Sequence, residues 1–162
     1  MSQVILPRSG ILTFMDDEMR EQLTTYGSVI ATTPNQIVIR EGTVSKTLYV
    51  VVAGTFIITT GQPGQEIRLD TVSVGDCLGE VSVFEPGLTS ATVTSAGPGQ
   101  LWCLDTENLQ EFLRDWPYAG CALVLGINTL LSRRLRKATS VIKLNQIVPS
   151  FLSVRAKKRA GA

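Results

Sequence analysis

The sequence contains no histidine. That removes the commonest general base and the commonest metal ligand together. Cysteine is scarce: Cys77, Cys103 and Cys121 are widely spaced, odd in number and form no CxxC. This argues against a disulfide framework or a zinc site, and it fits a reducing compartment. No apolar run approaches the roughly 20 residues of a membrane span. Met1 to Phe14 has no basic start followed by a long apolar stretch, so no secretory signal is read there. These absences together predict a cytoplasmic location, with no catalytic constellation, no cofactor and no metal.

One more absence is local. No acidic residue follows Asp115. The segment up to Trp116 holds all fourteen acids and six basic residues, a net of −8, whereas residues 117–162 hold nine basic residues and a net of +9. The overall +1 therefore hides a strongly polarised chain. Such a basic block is a solvated face, or it meets nucleic acid, an anionic surface, an acidic partner or the chain's own acidic body.

What is present is mostly β texture. At 162 residues the chain suits one domain with a sizeable core. Asp16 opens a short helix, with Met19, Leu23 and Tyr26 on one face and Gly27 as its stop. From Thr32 to Leu104, strands are predicted at Ile37–Ile39, Leu48–Val52, Thr55–Thr60, Glu66–Thr71, Ala91–Ser95 and Leu101–Leu104. The turn signals Gly61-Gln62-Pro63-Gly64 and Gly97-Pro98-Gly99 separate them. Many short strands at this spacing predict a sandwich or roll. Asp105 or Thr106 caps a second helix, whose face is Leu109, Phe112 and Leu113 and which Pro117 closes.

A long helix is predicted from about Tyr118 to Val148, ended by Pro149. Val124, Ile127, Leu131, Leu135, Ala138 and Ile142 form a stripe on it near heptad spacing. The stripe either packs on the roll or forms a homodimer seam. The expected organisation is a domain over 1–145, with the roll at about 32–104 and helices at about 106–145. Residues 146–162 then form the end of the helix and a basic, flexible tail.

Residues 34–60 read PNQIVIREGTVSKTLYVVVAGTFIITT, and residues 75–93 read GDCLGEVSVFEPGLTSATV. The first segment resembles the opening half of the cyclic-nucleotide-binding domain family, found in catabolite-activator regulators, kinase regulatory subunits and gated channels. The second is similar to that family's phosphate-binding cassette. The resemblance implies a mainly β fold with flanking helices: an antiparallel, jelly-roll-like β-roll followed by a long C-terminal helix. It also implies a short helix at Val81–Phe84 whose N–H groups attract an anionic phosphate. Ligand contacts are then implied at Gly79, Glu80, Val81, Ser82, Thr89 and Ser90, with Glu80 on the ribose 2′-hydroxyl.

The sequence departs from this family twice. The family places an arginine after the cassette turn, as a charged fork for the cyclic phosphate. Thr89 stands there instead, so the hydroxyls of Ser82, Thr89 and Ser90 are left to bond phosphate oxygens, and whether Arg68 or Arg40 reaches over from a neighbouring strand is not fixed by the sequence. Catabolite-activator relatives also carry a winged helix-turn-helix after the long helix, and the residues following Val148 are too few for one. Sequence-specific DNA binding is therefore not expected.

Three readings follow. The first is a sensor that binds a cyclic mono- or dinucleotide and signals to a protein partner through the C-terminal helix or basic tail. The second is a ligand-independent, homo-oligomeric adaptor that keeps the roll without its pocket. The third, a cupin-like enzyme, is weakened by the lack of histidine ligands.

Overall fold

Alternating apolar residues build the body of the molecule. The structure is a computed structural model that describes residues 4–159, with side chains described for 4–140. Among these, ten strands and three α-helices follow one another, after a single 3-10 turn at Gly10–Leu12. The strands are β1 (Ser28–Thr32), β2 (Ile37–Ile39), β3 (Val44–Ser45), β4 (Thr47–Ala53), β5 (Phe56–Thr60), β6 (Ile67–Val72), β7 (Cys77–Leu78), β8 (Gly87–Leu88), β9 (Thr92–Ser95) and β10 (Gly99–Asp105). The helices are α1 (Asp17–Thr24), α2 (Thr106–Asp115) and α3 (Pro117–Arg159).

All pairings are antiparallel. One four-stranded sheet has the order β1-β10-β4-β7, a second has β2-β9-β5-β6, and β3 pairs with β8 alone. Side chains alternate across a strand, so each sheet offers one face to a shared interior. Val51, Leu78 and Leu101 come from the first sheet, and Ile39, Phe56, Val72 and Val93 from the second, into one buried cluster. The opposite face of β10 is buried as well, through Trp102 and Leu104. Trp102 donates its indole N–H to the Thr24 carbonyl at 3.4 Å, which ties the end of α1 to the sheet. This is the antiparallel β-roll with a long C-terminal helix that the sequence predicts.

The helix starts follow capping chemistry. Asp16 accepts from the Met19 N–H, and Asp105 accepts from the Asn108 N–H, each at the N-cap. On α1, however, the buried residues are Arg20 and Leu23, while Met19 is only half-buried. Arg20 pairs with Asp17 and donates to the Met15 carbonyl at 3.1 Å.

Several elements differ from expectation. The β region begins at Ser28, not Thr32; four of the five β1 residues are exposed, so no apolar alternation marks it. The two-residue strands β3, β7 and β8 are too short to carry a periodic signal. Residues 80–84 form successive turns and not the short helix predicted at Val81–Phe84. Pro117 ends nothing by itself: α2 stops at Asp115, and Pro117 is the first residue of α3, where a missing N–H costs no bond. Pro149 lies within α3, which continues to Arg159. A proline forfeits one helical bond and kinks a helix more readily than it must end it.

Two compact units partition the chain, Met1–Ile127 and Asn128–Ala162. The first contains the roll, α1, α2 and the opening turns of α3. Within it Ile127 is 2% exposed, so this member of the predicted stripe is spent on its own unit's core. In the second unit Leu135 is 69% exposed and Ala138 is exposed. The side chain of Ile142 lies outside the described residues.

Candidate functional site: the turn after β7

β7 delivers the cassette. Leu78 and Cys77 pair with Tyr49 and Val50 of β4 and are both buried, which fixes where the chain leaves the sheet. It leaves through Gly79 at φ +73°, where an added Cβ would lie 2.1 Å from the Thr47 carbonyl oxygen. Only glycine fits. Thr47 is also one of the residues that line a cleft of about 710 Å³, together with Tyr49, Cys103, Asp105 and Asn108.

Glu80 follows and is 7% exposed, a burial that acidic residues rarely reach unless paired. Beyond it the Val83 N–H donates to the Gly79 carbonyl at 3.1 Å, and Phe84 and Glu85 donate to the Val81 carbonyl at 3.1 and 2.9 Å. Val83 is wholly buried and anchors the turn, Ser82 is half-buried, and Val81 is 53% exposed. Gly79, Glu80, Val81 and Ser82 thus follow one another through one continuous turn, in place of the short helix expected there. The turn is also hooked to the next helix. The Thr106 hydroxyl at the start of α2 lies 2.8 Å from the Val83 carbonyl and 3.0 Å from that of Lys46.

Thr89 and Ser90 lie past β8. Ser90 is exposed. The bonds of Thr89 run to the turn after β2: its hydroxyl donates to the Arg40 carbonyl at 2.6 Å, with the Thr43 carbonyl at 3.2 Å. Its backbone N–H donates to the Thr43 carbonyl, and its carbonyl accepts from Gly42 N–H, both at 2.9 Å. A hydroxyl has a single proton to give, and here it is committed to a protein carbonyl. Thr89 therefore fastens two chain segments together.

The neighbouring Glu41 is equally committed. It accepts from the Thr60 hydroxyl at 2.9 Å and from Gly61 N–H at 3.1 Å, and its own N–H donates to the Thr92 hydroxyl at 3.0 Å. Sequence reasoning missed the parts of Glu41, Thr43 and Thr106, because each acts across more than 15 residues of chain (Glu41 to Thr60 is 19 apart).

The other titratable groups here are structural. Burial pushes the Cys103 thiol up to about 11. Burial, then the adjacent Cys103, raises the hydroxyl of Tyr49, its cross-strand partner. Cys77 is 1% exposed, which makes it a core residue and not an accessible sensor thiol. Among the described residues, no group of three or more Cys, Asp or Glu side chains is placed to hold a metal ion.

Comparison with known proteins now decides the family. Residues 30–115 match the cyclic nucleotide-binding domain, a span that covers the roll from β1 to the end of α2. The chain belongs to the cyclic nucleotide-binding domain family. It is similar to a CRP-like cAMP-activated global transcriptional regulator of Mycobacterium tuberculosis, at 26% identity over 84% of this chain and 59% of the relative. It is also similar to the cyclic nucleotide-gated channel beta-3 of Mus musculus, at 30% identity over 74% of this chain and 17% of the channel. Among solved structures, the N-terminal domain of a transcriptional regulator from Streptomyces coelicolor A3(2) superposes with a TM-score of 0.70 at 29% identity, covering 85% of this chain and 94% of that domain.

The chain thus spans less than two thirds of the curated relatives it matches. No described helix is long and apolar enough to cross a membrane.

Proposed function

We propose that this cyclic nucleotide-binding domain is a non-enzymatic, cytoplasmic regulatory module that binds a cyclic mono- or dinucleotide at the turn after β7. In this reading Glu80 holds the ribose hydroxyl, and the backbone of residues 79–82 with the Ser82 hydroxyl receives the phosphate. One observation carries the reading: a carboxylate buried to 7% exposure sits at the head of a turn that Gly79 shapes and Thr106 hooks to α2. A ligand that draws in this turn pulls on the first residue of α2, and through α2 it biases the helices that follow. A protein partner then reads the state of α3 or of the basic segment.

A thermal-shift screen of the full chain against cyclic AMP, cyclic GMP and cyclic di-GMP tests the proposal. A ligand at 100 times its dissociation constant adds about 2.7 kcal/mol of stability. That is a rise of several degrees for a domain of this size, at about 2–4 °C per kcal/mol.

The second reading, a ligand-independent adaptor, has one observation in its favour. The hydroxyl that replaces the family's arginine gives its proton to the Arg40 or Thr43 carbonyl. No shift with any of the three nucleotides, together with stable self-association, would decide for the adaptor.

A further inference from the structure

The cassette position that carries an arginine in this family is Thr89, and a phosphate bound there would need its charge met from elsewhere. The ion pairs among the described residues are Arg8–Asp17, Arg20–Asp17 and Lys46–Glu107. They occupy three of the six cations of the acidic body. Arg68 folds back on its own strand, bonding the Thr71 hydroxyl through Nε at 3.2 Å and through its terminal nitrogen. Arg114 lies in the last turn of α2, an element that shares no described hydrogen bond with Thr89 or with the turn at 40–43. Arg40 remains: exposed, and in none of the ion pairs.

Its backbone is the very group that Thr89 grips. Three donors converge on the Arg40 carbonyl: the Thr89 hydroxyl at 2.6 Å, the Thr43 hydroxyl at 2.6 Å and the Thr43 N–H at 3.3 Å. Gly42, at φ +75°, closes the turn and donates its N–H to the Thr89 carbonyl at 2.9 Å. The next residue is pinned too, since the Glu41 N–H reaches the Thr92 hydroxyl at 3.0 Å. Position 40 is therefore held at the start of β9, beside the site of the absent arginine, with a long unpaired cationic side chain. Holding only the backbone leaves the guanidinium free to meet a ligand.

We infer that Arg40 supplies the counter-charge for the ligand phosphate, and that Thr89 is the positioning residue that seats it. The guanidinium has moved from the cassette to the adjoining turn, and the hydroxyl left behind fixes the new arginine's backbone. The inference rests on the cyclic-nucleotide reading of the site and assigns that site's cation. An arginine also offers a fork of donors that matches two phosphate oxygens, which a hydroxyl does not.

Calorimetry on the full chain with two probes tests this: cyclic AMP, which carries the phosphate charge, and adenosine, which does not. Arg40→Gln should lower cyclic AMP affinity by about tenfold or more, the scale of a charge-assisted hydrogen bond. Adenosine affinity should stay within about twofold, and the melting temperature should not move, because Arg40 is exposed and makes no described ion pair. Arg68→Gln serves as the control and should leave cyclic AMP affinity unchanged. If wild-type protein binds cyclic AMP and Arg40→Gln binds it equally well, the assignment of Arg40 falls and the ligand reading stands. An equal loss for cyclic AMP and adenosine would also overturn it, since the defect would not concern charge. Failure of the wild-type chain to bind cyclic AMP, cyclic GMP or cyclic di-GMP would remove both.

Discussion

Glu80 and Cys103 show how burial assigns opposite characters to reactive groups. Glu80 is 7% exposed at the head of the turn after β7, and the proposed site gives it the ribose contact. Replacing it by glutamine keeps the shape but removes a charged acceptor, whose hydrogen bonds contribute about 1.5–3 kcal/mol. Glu80→Gln should therefore weaken a ribose-containing cyclic nucleotide by roughly tenfold to a hundredfold while circular dichroism stays that of the wild type. Unchanged affinity in calorimetry would take Glu80 out of the site. Cys103 has its thiol pushed up to about 11 by burial, so at neutral pH it is overwhelmingly the unreactive thiol. Cys77 is buried and Cys121 exposed. Alkylation by iodoacetamide at neutral pH, followed by mass spectrometry, should modify Cys121 first and Cys103 only slowly. The Cys103 rate should climb as pH rises toward 11, because the thiolate fraction rises with it. Fast modification of Cys103 at neutral pH would contradict its burial.

At the scale of elements, two side-chain links tie helices to their surroundings. Thr106 sits at the first position of α2, and its hydroxyl lies within bonding distance of the carbonyls of Val83 and Lys46. Its backbone N–H keeps a separate bond to Lys46 at 3.0 Å. Thr106→Val removes the hydroxyl and keeps the shape, at a cost of about 0.5–1.5 kcal/mol. The variant should still bind nucleotide within a few fold, yet lose the ligand-induced change in hydrogen exchange across α2. Full retention of that change would show that the signal does not pass through this hook.

The second link is at α1, where Asp17 pairs with both Arg8 and Arg20. The Arg8 hydrogen bond is the main cause holding the Asp17 carboxyl below its ordinary value. A carboxyl whose folded pKa is depressed gives stability that is present above its unfolded value, near 3.8, and is lost as pH falls through the folded one. Part of the acid destabilisation below about pH 4 should therefore vanish in Asp17→Asn when melting is followed against pH. An identical acid profile for wild type and variant would show that the pair contributes nothing.

For the whole molecule, the charge segregation and the helical stripe make separable predictions. Leu135 is 69% exposed within the second unit, while Ile127 is already buried in the first. A seam between two copies would therefore use Leu131, Leu135 and Ala138 and leave Ile127 in its own core. Truncation before Leu131 should convert an oligomer into a monomer by light scattering; a monomeric full chain would refute the seam. The acid-free segment after Asp115 carries +9 against a body of −8. If it engages a protein partner, deleting 155–162 should abolish that complex and leave thermal stability nearly unchanged. If it shields its own domain, the deletion should lower stability at low salt, since exposed charges are screened beyond about 8–10 Å at physiological ionic strength. Tight duplex DNA binding that survives moderate salt would overturn both.

The strands β2, β4, β5, β6, β9 and β10 were legible because each is rich in β-branched or apolar residues and turn signals separate several of them, and such composition is a local property. The caps Asp16 and Asp105 were legible for the same reason: a carboxylate bonding an N–H three residues on needs nothing from the rest of the chain. The Gly79-Glu80 pair, and Thr89 where the resemblance expects an arginine, were likewise read from the sequence alone.

Other features could be settled only by packing. Exposed β1 earns its place by pairing with β10, and the two-residue strands exist only through partners far along the chain. The turn at 80–84 is shaped by where β7 meets β4 and by Val83 entering the core, not by helix propensity. The part played by Thr89 was the least visible of all. Its partner Arg40 is 49 residues away, and a hydroxyl donates one proton to whichever acceptor the fold brings within about 3 Å.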